Sequence, residues 1–202
     1  MKTILVACEQ SQVVCLAFRR LGYAAYSCDI LPCYGGHPEW HIVFDAAQVI
    51  KGGIFPLESG SLLVADHWDL LIAHPPCTML THSSAVALSK GLHTMEDVKA
   101  GAAFFMEMLN APVPRVAVEN PAPMAVARLP RYNQILQPYE FGHGFSKRVC
   151  LWLKNLPQLL PMRGYNHNHV QLLRHCAHSS RRRSKTFEGI AEAMAAQWGS
   201  LL

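Results

Sequence analysis

Five short apolar runs in this chain each end on a reactive or acidic residue, and that arrangement narrows the possible folds sharply. Thr3–Cys8 runs into Glu9, Tyr23–Cys28 into Asp29, and His41–Phe44 into Asp45. Trp68–Ala73 runs into His74-Pro75-Pro76-Cys77, and Arg115–Val118 into Glu119. Uninterrupted apolar runs of this length are the pattern of strands buried on both faces. Between them lie stretches with helical spacing. Val13, Leu16, Ala17 and Arg20 precede a stop at Gly22. Val98, Ala102, Phe105, Met106 and Leu109 follow a reciprocal cap read from Thr94 and Asp97. Ile190, Met194 and Trp198 mark a closing helix over about Phe187–Trp198. Gln134–Tyr139 and Val149–Lys154 read as later strands. Strands alternating with helices predict an α/β fold, a mostly parallel sheet with helices on both faces. Ligands bind such sheets beyond the carboxyl ends of the strands, where the five reactive ends would gather. Two segments break the pattern. Lys51–His67 reads as an irregular insertion and Asn155–Lys185 as a long polar connection.

Size and composition bound the rest. The 202 residues are 50% hydrophobic and 16% charged, which predicts one domain over 1–202 with a core that needs no disulfides. Seven cysteines with no Cys-x-x-Cys pair read as free thiols in a reducing, cytoplasmic setting. No apolar run approaches the roughly 20 residues that span a bilayer, so no membrane role is expected. A formal charge of +4 is compatible with a polyanionic partner without requiring one.

An acid after the second strand of such a sheet typically accepts from ribose hydroxyls, so Asp29 and Asp45 suggest an adenosine-containing ligand. The other reading is two solvated strand ends. The first turn, Ala7-Cys8-Glu9-Gln10-Ser11-Gln12, has no glycine, which argues against a pyrophosphate loop and a dinucleotide. Pro75-Pro76 stiffens the chain ahead of Cys77 and fixes where its thiol points. A thiol there suits a nucleophile, whereas Cys8, Cys15, Cys28 and Cys150 sit in apolar patterns typical of buried cysteines. Glu119, one strand over, would share the crevice with Cys77. A thiolate that adds to an electron-poor ring and an acid that binds a ring nitrogen form a workable pair. A surface glutamate at a strand end is the alternative.

His167, His169, His175, Cys176 and His178 cluster in the polar connection, but their spacing fits no common zinc motif, and no metal is expected. Arg181, Arg182, Arg183 and Lys185 follow, a run suited to phosphates or to a solvated loop.

These residues together resemble the DNA cytosine-5 methyltransferases, and more closely the short methyltransferase-like proteins of phages and prophages. Val6-Ala7-Cys8-Glu9-Gln10-Ser11 resembles the first cofactor motif, and Tyr26-Ser27-Cys28-Asp29 the ribose motif. Asp45 stands where the adenine-contacting acid is expected. Ala73-His74-Pro75-Pro76-Cys77 resembles the catalytic Pro-Cys motif. Val118-Glu119-Asn120 resembles the Glu-Asn-Val motif, with Pro121 in place of the valine. Phe141-Gly142-His143-Gly144, Ser146-Lys147-Arg148 and Leu151-Trp152-Leu153-Lys154 resemble the segment with the basic motif. Phe187-Glu188-Gly189-Ile190-Ala191-Glu192-Ala193 resembles the closing helix.

The resemblance implies a Rossmann-like S-adenosylmethionine-dependent methyltransferase fold. It implies methyl transfer to C5 of a flipped cytosine in DNA, with Cys77 adding to C6 and Glu119 engaging N3. On that reading Ala7, Cys8, Glu9, Ser11 and Asp29 line the cofactor, together with Ile30, Asp45, Ala46, His74 and Pro75. Asn120, Lys147, Arg148, Arg181, Arg182 and Arg183 face nucleic acid, and Arg115 helps to hold the ring. The chain also departs from the family. Gln12 stands where phage relatives carry glycine and is expected to crowd the methionine end of the cofactor. Ser146-Lys147-Arg148 only approximates the Gln-Arg-Arg motif. Asn155–Lys185 takes the place of a recognition domain, so a protein partner would be needed for target choice. A non-catalytic nucleic-acid or adenosyl-ligand binder, or methylation of RNA or a free nucleotide, is the alternative.

Overall fold

A computed structural model describes residues 2–81, 85–144, 146–161 and 185–202. Seven strands form one sheet: β1 (Thr3–Ala7), β2 (Ala24–Asp29), β3 (His41–Val43), β6 (Leu70–Ala73), β7 (Arg115–Asn120), β8 (Gln134–Leu136) and β9 (Val149–Lys154). Their order is β3-β2-β1-β6-β7-β9-β8. The first five run parallel, and β9 lies antiparallel between β7 and β8. The architecture is α/β, as the alternation of strands and helices predicts, and Rossmann-like, as the resemblance implies.

Alternate residues of the central strands face opposite layers. Ile4, Val6, Leu70, Ile72 and Ala117 pack beneath α1 (Val13–Arg20) and α5 (Glu188–Gly199). Leu5, Leu71, Val116 and Val118 pack against α2 (Ala46–Val49) and α4 (Met95–Leu109). α3 (Ala85–Ser89) is a single short turn with no buried residue. Thr94 and Asp97 form the reciprocal cap of α4. Buried tryptophans also find polar partners for their N–H groups: Trp68 donates to the carbonyl of Val49 and Trp152 to that of Pro130, each at 2.7 Å. Gly189 crosses so close to the carbonyl of Phe141 that any Cβ would collide with it.

The direction of strand addition reverses between β1 and β6. α1 covers one face and α4 the other, so their connections part and leave a crevice at the carboxyl ends of those two strands. The crevice is where the reactive strand ends meet.

Two segments differ from expectation. Lys51–His67 is not irregular: β4 (Gly53–Pro56) and β5 (Leu62–Ala65) form a separate antiparallel hairpin. Its inner residue Phe55 is buried against Phe44, while Ile54, Leu62 and Val64 on the outer face are exposed. With both faces apolar, the hairpin has no alternation to read. The strand expected over Gln134–Tyr139 ends at Leu136, because Pro138 begins a 3-10 turn, Pro138–Phe141. The His167–His178 cluster and Arg181, Arg182 and Arg183 lie outside the described residues.

Candidate functional site

The first turn follows a glycine-like path without glycine. Cys8 and Gln12 have φ of 60° and 58°, a left-handed conformation that side chains disfavour. The Glu9 side chain stabilises the turn. It is buried and accepts from the backbone N–H groups of Val14 (2.7 Å) and Cys15 (3.2 Å) at the start of α1, and from the Ser11 hydroxyl. Burial pushes Glu9 upward, with those bonds and His74 opposing. Gln12 is fully buried. Its Nε2 donates to Ser27 Oγ and to the carbonyl of His37, and its Oε1 accepts from His37 N–H. Ser27 Oγ meets His41 Nδ1 at 2.8 Å, and His41 Nε2 reaches the carbonyl of Leu31 at 3.0 Å. This buried chain ties the loop after β2 down onto the first turn. Gly35 sits so close there that a Cβ would lie 2.6 Å from Gln12 and from the Ser11 carbonyl. The Gln12 amide is thus turned toward the β2–β3 loop.

Asp29 and Asp45 end adjacent strands, with Phe44 N–H donating to the Asp29 carbonyl. One carboxylate oxygen of Asp29 accepts from Leu31 N–H, and Asp45 caps α2 through Ala47 N–H. Burial holds the Asp29 carboxyl above its usual range. Beside them Ile30 is 71% exposed and Phe44 38% exposed, two apolar surfaces flanking the acids. Ala7 and Ala46 are buried beneath. The Cys8 thiol is pushed up to about 12 by burial and then by the charges of Asp29 and Asp45. This end of the crevice is therefore electronegative.

The second half of the crevice is built on β6 and β7, where Ala73 stands opposite Val118. His74, Pro75 and the turn to Cys77 therefore leave the sheet beside Glu119. His74 N–H donates to the Ala7 carbonyl, and His74 Nδ1 lies 3.0 Å from Glu119 Oε2. Their side chains are 9% and 15% exposed. Burial alone would raise Glu119, but the His74 hydrogen bond and charge outweigh it and hold the carboxyl below its usual range. Burial would lower His74, yet Glu119, with help from Glu9, lifts it above its usual value. Asn120 is buried and donates through Nδ2 to the carbonyl of Pro75 at 2.8 Å, bracing the turn. Cys77 is partly exposed. Its thiol is raised, first by burial and then by the charge of Glu119, while Lys147 opposes.

Of the basic residues, Lys147 acts electrostatically on Glu119, Cys77 and His74, and its ammonium lies 5.7 Å from the Phe187 ring. Arg148 is exposed, and its charge acts on Cys150. Arg115 begins β7, about 13 Å from Glu119 at roughly 3.3 Å per residue, so it cannot hold a ring at Cys77. That expectation is corrected by the direction of the strand. The sequence pattern places His143 in a motif but gives no sign of its bond, in which Nε2 accepts from Gly189 N–H at the start of α5. The buried relay of Ser27 and His41 was missed outright. Neither carries a local pattern, since the partners lie 46 and 14 residues apart.

No family model matches the chain, and no curated protein matches it in sequence. Solved structures do match. One is a candidate DNA modification methyltransferase encoded within a prophage of E. coli, 14% identical with a TM-score of 0.49. The match covers 81% of this chain and 51% of that protein, so the chain spans about half its length. At that identity and score the likeness bears on neither activity nor residue roles. Among the described residues, no helix is long and apolar enough to cross a membrane.

Proposed function

We propose that the chain transfers a methyl group from S-adenosylmethionine to C5 of cytosine in DNA through a covalent adduct of Cys77 at C6. The observation that carries this reading is the pairing of β6 with β7, which brings the Cys77 turn beside Glu119. The residues at the other half fit the cofactor. A nucleoside needs apolar faces for its ring and acceptors for its hydroxyls, and Ile30, Phe44, Asp29 and Asp45 offer both. The negative potential sensed by Cys8 suits a cationic sulfonium and disfavours a pyrophosphate. When bound, the cofactor supplies an electrophilic methyl group.

Cys77 adds through Sγ to C6 of the flipped base, while Glu119 engages N3. The two groups are coupled electrostatically. An ionised Glu119 disfavours the Cys77 thiolate, so a proton shared between Glu119 and N3 eases the thiol's ionisation. As the Sγ–C6 bond forms, the C5=C6 electron pair shifts toward C5 and N3, and the proton the thiol has lost ends on N3, hydrogen-bonded to Glu119. Lys147 supplies a positive charge that supports the thiolate. After methylation a base removes the C5 proton and Cys77 leaves.

The test is trapping on DNA that contains 5-fluorocytosine, with S-adenosylmethionine present. Wild-type protein should form a covalent adduct and Cys77→Ala none. No adduct from wild type, with cofactor bound, would move the substrate to RNA or a free nucleotide, and an equal adduct from both proteins would overturn Cys77 as the nucleophile.

A further inference from the structure

His74 is the least expected group in the crevice. It is buried between the ends of β1 and β7, and three elements direct charge at it: Glu9 after β1, Glu119 in β7 and Lys147 ahead of β9. Its Nδ1 is committed to Glu119 Oε2 at 3.0 Å, and its backbone N–H to the Ala7 carbonyl. Its Nε2 is buried without a hydrogen-bond partner among the described residues. A buried polar atom left this way is costly, and a site shaped for stability alone would hold an apolar residue here. With only 9% of the side chain exposed, the ring has little surface for a cofactor.

We propose that His74 is a positioning residue for Glu119, holding one carboxylate oxygen through Nδ1 so that the other is presented to the target base. This departs from the cofactor-lining role that the family resemblance implies, and it rests on the cytosine reading given above. A carboxylate on a strand end can rotate about its last bonds. A partner on the next strand, itself fixed by the β1–β6 pairing, removes that freedom. The turn carrying Cys77 starts from the same residue, so one side chain ties nucleophile and acid to a common frame. Asn120, bonded to Pro75, braces the same turn from below.

The test uses the whole chain and three readouts: trapping rate on 5-fluorocytosine DNA, calorimetric affinity for S-adenosylmethionine, and the ring nitrogen resonances of His74. His74→Leu should slow trapping by about a hundredfold. Cofactor affinity should stay within about twofold. His74→Asn, whose amide places a donor near the Nδ1 position, should recover most of that loss and guards against a folding artefact. In a Glu119→Gln background the His74→Leu change should cost nothing further. Undiminished trapping by His74→Leu overturns the proposal. So does a cofactor affinity that falls in step with the rate, or a loss that multiplies with Glu119→Gln. If wild type and Cys77→Ser alike form no adduct, the cytosine reading fails. The pair is then judged by resonance alone: a His74 titration that moves to lower pH in Glu119→Gln supports it, and an unmoved one overturns it.

Discussion

In the β1–β2–β3 half of the crevice the acids bond to backbone N–H groups, whereas in the β6–β7 half the acid bonds to a histidine side chain. Glu9 caps α1, Asp45 caps α2 and Asp29 holds the turn at Leu31. Across the crevice, His74 and Glu119 form a pair, and the buried His74 Nε2 and Asn120 Oδ1 have no partner among the described residues. The first half ties its acids into the fold. The second keeps unsatisfied groups near a thiol, which adds nothing to stability.

The contrast breaks most plainly if stability fails to divide along it. Removing the Glu9 carboxylate strips two buried N–H groups of their acceptor, so Glu9→Ala should destabilise by about 2–4 kcal/mol in urea unfolding. Cys77→Ala, at a partly exposed turn, should stay within about 0.5 kcal/mol while abolishing the adduct. Equal losses in the two variants would dissolve the distinction.

A smaller effect is expected at Gln12. Glycine there would relieve a left-handed backbone, a gain of about 1 kcal/mol, but would lose three side-chain hydrogen bonds of about 1 kcal/mol each. Gln12→Gly should therefore lower the unfolding midpoint, and a rise would show that the relay through Ser27 and His41 is dispensable.

Asp29 sharpens the comparison from the other side. Its folded carboxyl is raised, so its stabilising share is present below the unfolded value near 3.9 and is lost as pH rises through the folded value. At neutral pH the ionised group opposes folding. Asp29→Asn should raise the thermal midpoint slightly and weaken S-adenosylmethionine binding in calorimetry.

The smallest effect is at His143, beside the reaction half. Burial lowers it, with Glu188 and Glu192 opposing, and its Nε2 must be neutral to accept from Gly189. A depressed histidine favours the fold above the unfolded value near 6.5 and loses that share as pH falls through the folded value. The protection factor of the Gly189 amide, the exchange rate of an unstructured amide at the same pH divided by its own, should therefore fall below about pH 6.5 in wild type. The His143→Gln variant should show no such step.

The strand ends were legible because a strand buried on both faces shows as an apolar run, and the polar residue that stops it announces its carboxyl end. The Thr94–Asp97 cap was legible because both partners lie within one helical turn. What stayed hidden depends on distance along the chain. His74 and Glu119 are 45 residues apart, and their bond exists only because β6 and β7 are neighbours. Glu9 reads as a ligand contact until the path of the first turn sends its carboxylate into α1. The β4–β5 hairpin escaped for a different reason: apolar side chains on both faces erase the alternation that marks a strand pair.

The placement of β9 has a consequence for the order of assembly. β8 touches the sheet only through β9, although it precedes β9 in sequence. On a growing chain the five parallel strands, complete at Asn120, can collapse first, while Gln134–Leu136 must wait for Val149–Lys154 to arrive. Until then the free edge of β7, with Glu119 on it, stands open. Closing that edge is a late, long-range step that brings Lys147 and the Phe187 end of α5 to the crevice. The strands that carry Glu119 and the Cys77 turn thus form early, and the edge beside them is covered only when β9 arrives.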